Sequence, residues 1–113
     1  MIIHKDLLES GRWYKMNLME QLANVDSEIS RTVIWKNKNN PEYSQQAFFR
    51  VLELLDFTIY DPKNKGCRRK EMLKMREALV DHFMYDNEYN TTDEIWLREF
   101  YNYGYAAALE RGR

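Results

Sequence analysis

The sequence has little with which to build tight turns, covalent crosslinks or membrane spans. Glycine occurs four times and proline twice in 113 residues, too few for a sheet protein with many turns. Cys67 is the single cysteine, so no internal disulfide can form. No apolar run approaches the roughly 20 residues needed to cross a bilayer. The opening MIIHKDLLES is too short and too charged for a signal peptide. The net charge of −1 gives no overall pull toward nucleic acid or an anionic membrane surface. Together these features predict a cytoplasmic protein with no membrane association. Metal and cofactor motifs are missing too. His4 and His82 are preceded three positions earlier by Met1 and Leu79, so the Glu-x-x-His spacing of di-iron bundles does not occur. Asp86-Asn87-Glu88 lacks the glycine and closing glutamate of a calcium loop. There is no phosphate-cradling glycine loop and no Gly-x-Ser-x-Gly element, so no metal and no cofactor are expected.

What the chain does have is helical periodicity. Apolar residues make up 44% of it, enough for one hydrophobic core in a single domain, 1–113. The spacing predicts four helices, at about 12–36, 41–60, 67–85 and 92–110. In the first, Leu18, Leu22, Val25, Ile29 and Val33 share a narrow arc, with Ser10 as a candidate cap and Gly11 as a break. Asn40 caps the second and Pro41 takes its first position, where a missing N–H costs nothing. Phe48, Leu52, Leu55 and Ile59 form its stripe. Met72, Leu79, Val80 and Phe83 give the third its buried face. Thr91 and Glu94 have capping-box spacing, so the fourth helix is expected to start near Thr92 and to end at Gly112. Trp96, Phe100, Tyr103 and Ala107 align along it. Four helices of similar length joined by short turns predict an all-α, up-down-up-down four-helix bundle.

The stretch Arg68–Glu94 carries the most unusual chemistry. Arg76 falls inside the apolar arc of the third helix. A guanidinium keeps its charge, so burial there demands a carboxylate from another helix. Glu28, Glu53 and Asp56 are the candidates. Two roles stay open for Arg76: a buried ion pair that fixes helix register, and an anion-binding or catalytic arginine. Charge is also divided along the chain. Lys63–Arg76 holds seven bases and one acid, and Glu77–Glu99 holds seven acids and one arginine. On the third helix this opposes the macrodipole at both ends. The charges therefore call for partners on neighbouring helices, a second subunit or an anionic ligand. Arg68, Arg69 and Lys70 form a possible nucleic-acid patch.

Arg76 and His82 stand in an Arg-x5-His arrangement that resembles the motif of HEPN-domain ribonucleases, which are small helical bundles. That resemblance implies action of Arg76 and His82 on an RNA backbone. On a straight helix the two side chains point about 120° apart and lie about 9 Å apart along the axis, so they converge only through a bend or a dimer. The segments LELLDFTI (Leu52–Ile59) and MREALVDHFMYDNEYNTTDE (Met75–Glu94) resemble a group of small bacterial and archaeal helical proteins, a likeness that carries no activity. In architecture the chain is also similar to the helical bundles that include the accessory proteins of diversity-generating retroelements. That likeness implies ring oligomers that hold nucleic acid.

Finally, the helices carry more apolar surface than one core needs. The apolar arc of the fourth helix spans about 160°, against the roughly 100° of a one-sided helix. Trp13, Trp35, Phe49, Phe57, Tyr60 and Tyr105 are expected on the outside as an interface. The sequence thus predicts a non-enzymatic interaction or accessory bundle, a homo-oligomer or one bound to a protein partner. The two alternatives are the ribonuclease and an RNA-binding bundle.

Overall fold

The computed structural model describes residue 6 and residues 9–111, with side chains as far as 109. The described residues are helical and contain no strand. The elements are α1 (Arg12–Lys15), α2 (Leu18–Asn37), α3 (Pro41–Ile59), a 3-10 turn at Pro62–Asn64, α4 (Cys67–Met84) and α5 (Asp93–Arg111). The expected end at Gly112 lies outside the described residues.

The first predicted helix is in fact two. Met16 and Asn17 are extended, and the Asn17 side chain accepts a hydrogen bond from the Glu20 N–H at 2.9 Å. A cap of this kind satisfies one of the four free N–H groups at a helix start, so α2 begins afresh at Leu18. Before the break, Gly11 sits at φ 76°, a left-handed conformation that suits glycine. The break redirects α1 and overturns one expectation. Trp13 points inward and is fully buried, with its ring edge-on to Phe57 at 6.4 Å. Phe57 itself is half-buried against the core.

The other starts follow their local chemistry. Asn40 accepts from the Tyr43 N–H at 3.1 Å, with Pro41 next in line. The cap of α5 is Thr92, whose hydroxyl accepts from the Ile95 N–H at 3.2 Å. Thr91, the expected capping residue, serves the turn instead. Its N–H donates to Asn87 and its hydroxyl accepts from the Trp96 indole at 3.0 Å. Thr92 wins because that turn already holds Thr91 in place.

Helix α2 is the central element. It packs along α3 and along α5, and α4 packs along α3. Lys36 near the end of α2 meets Asp93 at the start of α5, and Asp26 faces Gly104, so these two helices run antiparallel. Phe48 stacks near Phe83, and Arg69 reaches back to Ile59, so α3 and α4 do the same. The core comprises Leu22, Val25, Ile29, Phe48, Val51, Leu54, Leu55, Ile59, Met72, Leu79, Trp96 and Phe100, closed at one end by Trp13. Helix α4 has only Met72 and Leu79 fully buried.

A polar clamp fixes the turn between α3 and α4. The buried Gln21 amide donates to the Trp13 carbonyl (2.9 Å) and to Asp61 Oδ2 (2.8 Å), and accepts from Asn64 Nδ2 (2.9 Å). Asn64 Nδ2 also donates to the Thr58 carbonyl. The Lys63 ammonium and its own N–H both reach Asp61. Burial pushes the Asp61 carboxyl upward, but the Lys63 and Gln21 donors outweigh it and hold the group below the usual carboxylate range.

Candidate functional site

Helices α4 and α5 barely touch along their length. They meet at the turn that joins them. There His82 Nε2 shares a 2.7 Å hydrogen bond with Asp93 Oδ1, and Lys36 reaches the same carboxylate at 3.0 Å. From that vertex the helices part, leaving an apolar groove of about 780 Å³. Its floor comes from α2, as Leu18, Met19 and Leu22. Its walls are Met72, Met75 and Ala78 on α4, and Ile95, Trp96 and Tyr103 on α5. Cys67, Arg68, Glu71, Lys74 and Glu99 stand around it.

The helix register explains this lining. The face of α4 that includes Met72 and Leu79 turns to the core. Met75 and Ala78 fall on the flank facing α5, while Arg76 falls on the flank facing α3. Three methionines, with flexible and polarisable side chains, line the cleft, as suits an adaptable apolar surface. Tyr103 is half-buried, and its hydroxyl donates to Glu99 at 3.0 Å. Burial and that neighbouring carboxylate push its pKa up to about 12, so it stays a neutral donor at the cleft wall. Asp93 is also raised by burial, but the His82 and Lys36 contacts prevail and its pKa is lowered. The vertex is therefore held by an ionised carboxylate.

Tyr89 forms the wall between the groove and a second hollow of about 400 Å³. That hollow is lined by Glu77, Val80, Asp81, Tyr85, Asp86 and Glu88. The Tyr89 hydroxyl donates to Glu77 at 3.0 Å, and the bond to that carboxylate raises the phenol pKa.

The structure sorts the residues singled out from the sequence. Arg76 finds Asp56 with two hydrogen bonds, at 2.8 and 3.3 Å. The two side chains are 33% and 43% exposed, so the pair lies at the edge of the protein and is not buried as expected. Glu28 is buried and pairs instead with Arg31, at 2.9 Å. Glu53 is half-buried on α3. His82 points to α5 while Arg76 points to α3, so the chain binds them to different carboxylates and no hydrogen bond joins them. The imidazole is 6% exposed, with Nδ1 buried and unpartnered among the described residues.

The basic patch is divided. Arg68 and Lys70 are exposed. Arg69 donates to the Ile59 carbonyl (2.7 Å) and the Asp61 carbonyl (3.3 Å) and lies over the Tyr60 ring. It closes the C-terminus of α3, where carbonyls lack helical partners. Asp81 likewise accepts the Glu88 and Tyr89 N–H groups of the following turn. Two of the charges that oppose the α4 dipole thus work for neighbouring backbone.

Of the expected outer aromatics, Phe49, Tyr60 and Tyr105 are exposed. Trp35 is half-buried against Tyr43, with Lys38 over its ring. Trp13 and Phe57 face inward. The groove residues Met19, Met72, Met75 and Trp96 were read from the sequence only as core or not at all. Their one signal was surplus apolar surface on the last helix. Among the described residues no group of side chains is arranged to hold a metal ion, and no helix is long and apolar enough to cross a membrane. Comparison with known proteins returned no matching family model, no matching curated protein and no matching solved structure.

Proposed function

We propose that this is a non-enzymatic interaction protein whose α4–α5 groove receives the apolar face of a helix from a macromolecular partner. The single observation behind this reading is the parted seam between α4 and α5 over an apolar floor. A bundle that closed all its seams would bury Met75, Ala78 and Ile95. This chain leaves them lining an apolar cleft of about 780 Å³. Helix-in-groove docking uses such a surface. The finer architecture, an up-down-up-down four-helix bundle with one seam open, belongs to the same proposal. It is supported by the antiparallel α3–α4 and α2–α5 contacts and by the meeting of the end of α2 with the start of α3, where Trp35 packs on Tyr43 and Ser44 donates to the Thr32 carbonyl. So do kinship with the small bacterial and archaeal helical proteins, resting on Leu52–Ile59 and Met75–Glu94, and a cytoplasmic setting, where the exposed thiol of Cys67 would stay reduced.

Photocrosslinking in the source cells tests the reading. Benzoylphenylalanine placed at Met75, in the groove, should trap a macromolecule, whether another copy or a different chain. The same group at Gln45, exposed on α3, should not. No adduct from Met75, or equal adducts from both sites, would overturn it.

A further inference from the structure

The charges beside the groove say what enters it. Among the bases of Lys63–Arg76, Lys63 is taken by Asp61, Arg69 by backbone carbonyls and Arg76 by Asp56. Arg68 and Lys74 remain on the groove, with Lys65 and Lys70 nearby, all exposed and without an ion pair among the described residues; Glu71 and Glu99 share the groove edge, so the four bases leave it net basic by two. Among the acids that follow, Asp81 holds the turn and Asp93 holds the vertex. Glu77, Asp86 and Glu88 remain exposed around the adjoining hollow. The surface is therefore net basic along the first half of α4, from Arg68 to Lys74, and acidic from Glu77 into the turn that follows the helix. Tyr89 borders both the groove and the hollow.

Such a surface is complementary to itself. A two-fold axis perpendicular to α4 reverses the helix and sets the basic end of one copy on the acidic end of the other. Isologous interfaces require this kind of self-match. Resting on the docking reading above, we infer that the occupant of the groove is a second copy of this chain. Its α4 lies antiparallel between α4 and α5 of the first, and the relation is reciprocal. Ala78, near the middle of α4, gives the two helices room for close approach.

Charge exchange tests this on the purified full chain by sedimentation velocity. Wild type should dimerise between about 1 and 200 µM and weaken roughly tenfold or more when salt rises from about 50 to 500 mM, as screening requires. Arg68→Glu with Lys74→Glu makes both ends acidic, and Glu77→Lys with Glu88→Lys makes both ends basic. Each double variant alone should stay monomeric, and an equimolar mixture should form a heterodimer, which also shows that both are folded. A wild type that is monomeric throughout, or double variants that dimerise alone as well as wild type does, would refute the second-copy inference. If wild type is monomeric while Met75 still traps another macromolecule in cells, the docking reading survives and only the identity of the occupant falls. If Met75 traps nothing and wild type is monomeric, both fall.

Discussion

Replacing Gln21 by methionine keeps the length and shape of the side chain and removes its amide. Three hydrogen bonds disappear, to the Trp13 carbonyl, Asp61 and Asn64. At about 1 kcal/mol each, their loss costs about 3 kcal/mol. The partners are not stranded equally. Asp61 keeps Lys63, and Asn64 keeps the Thr58 carbonyl. The Trp13 carbonyl keeps the Met16 N–H, at 3.2 Å. Little further desolvation penalty follows, and the thioether returns up to about 1 kcal/mol of apolar burial, so about 2–3 kcal/mol is the net expectation. For a domain of this size that corresponds to a fall in Tm of roughly 8–12 °C. Urea unfolding followed by circular dichroism at 222 nm gives the free energy directly, and an unchanged m-value would show that the native surface is intact. A loss below about 1 kcal/mol would mean that apolar packing alone positions the α3–α4 turn and that the clamp is incidental.

Arg76→Met should cost less than about 1 kcal/mol in the same assay, because the Arg76–Asp56 pair is solvent-screened. A loss of about 3 kcal/mol or more would mark a desolvated pair and refute the edge position. Asp26 is raised above the ordinary carboxylate value by burial, facing Gly104. Its ionised form therefore opposes folding, with a cost that is absent below the unfolded-state pKa and grows as pH rises through the folded-state pKa. Asp26→Asn should raise the urea midpoint at pH 7, with an advantage that shrinks toward about pH 4. An advantage that is constant with pH, or a destabilisation at pH 7, would contradict this.

The parts of the fold legible in the sequence are those set by chemistry within a few residues. Asn40-Pro41 marks the start of α3, and the stripe from Leu22 to Val33 marks the buried face of α2, because capping and periodicity act locally. The break at Met16-Asn17 was hidden by its own neighbours. Leu18 stays in phase with Leu22 and Val25, so the pattern runs on across the gap. Projecting that pattern backward put Trp13 on the outside, although Asn17 three residues before Glu20 has the spacing of a helix start. Gln21, Asp61 and Asn64 gave no warning at all, since a polar contact across 40 positions leaves no periodic trace. Arg76 was expected inside the apolar arc as a buried ion pair, but it lies at the edge of that arc with Asp56, part-exposed. Its exposure depends on how α4 sits against α3, which is a tertiary fact. The groove was legible only as excess: surplus apolar surface shows in the sequence, but not whether it lies scattered outside or lines one cleft.

The central position of α2 bears on how the chain assembles. Its two flanks are covered by segments made at very different times. Helix α3 follows immediately, whereas the ion pair of Lys36 with Asp93 joins positions 57 apart. During synthesis, α2 and α3 can zip together while still near the ribosome, but the other greasy flank stays wet until α5 has left the exit tunnel. A chain that stops before Asp93 is thus three helices, α2, α3 and α4, with one side of α2 uncovered, the form most apt to need a chaperone.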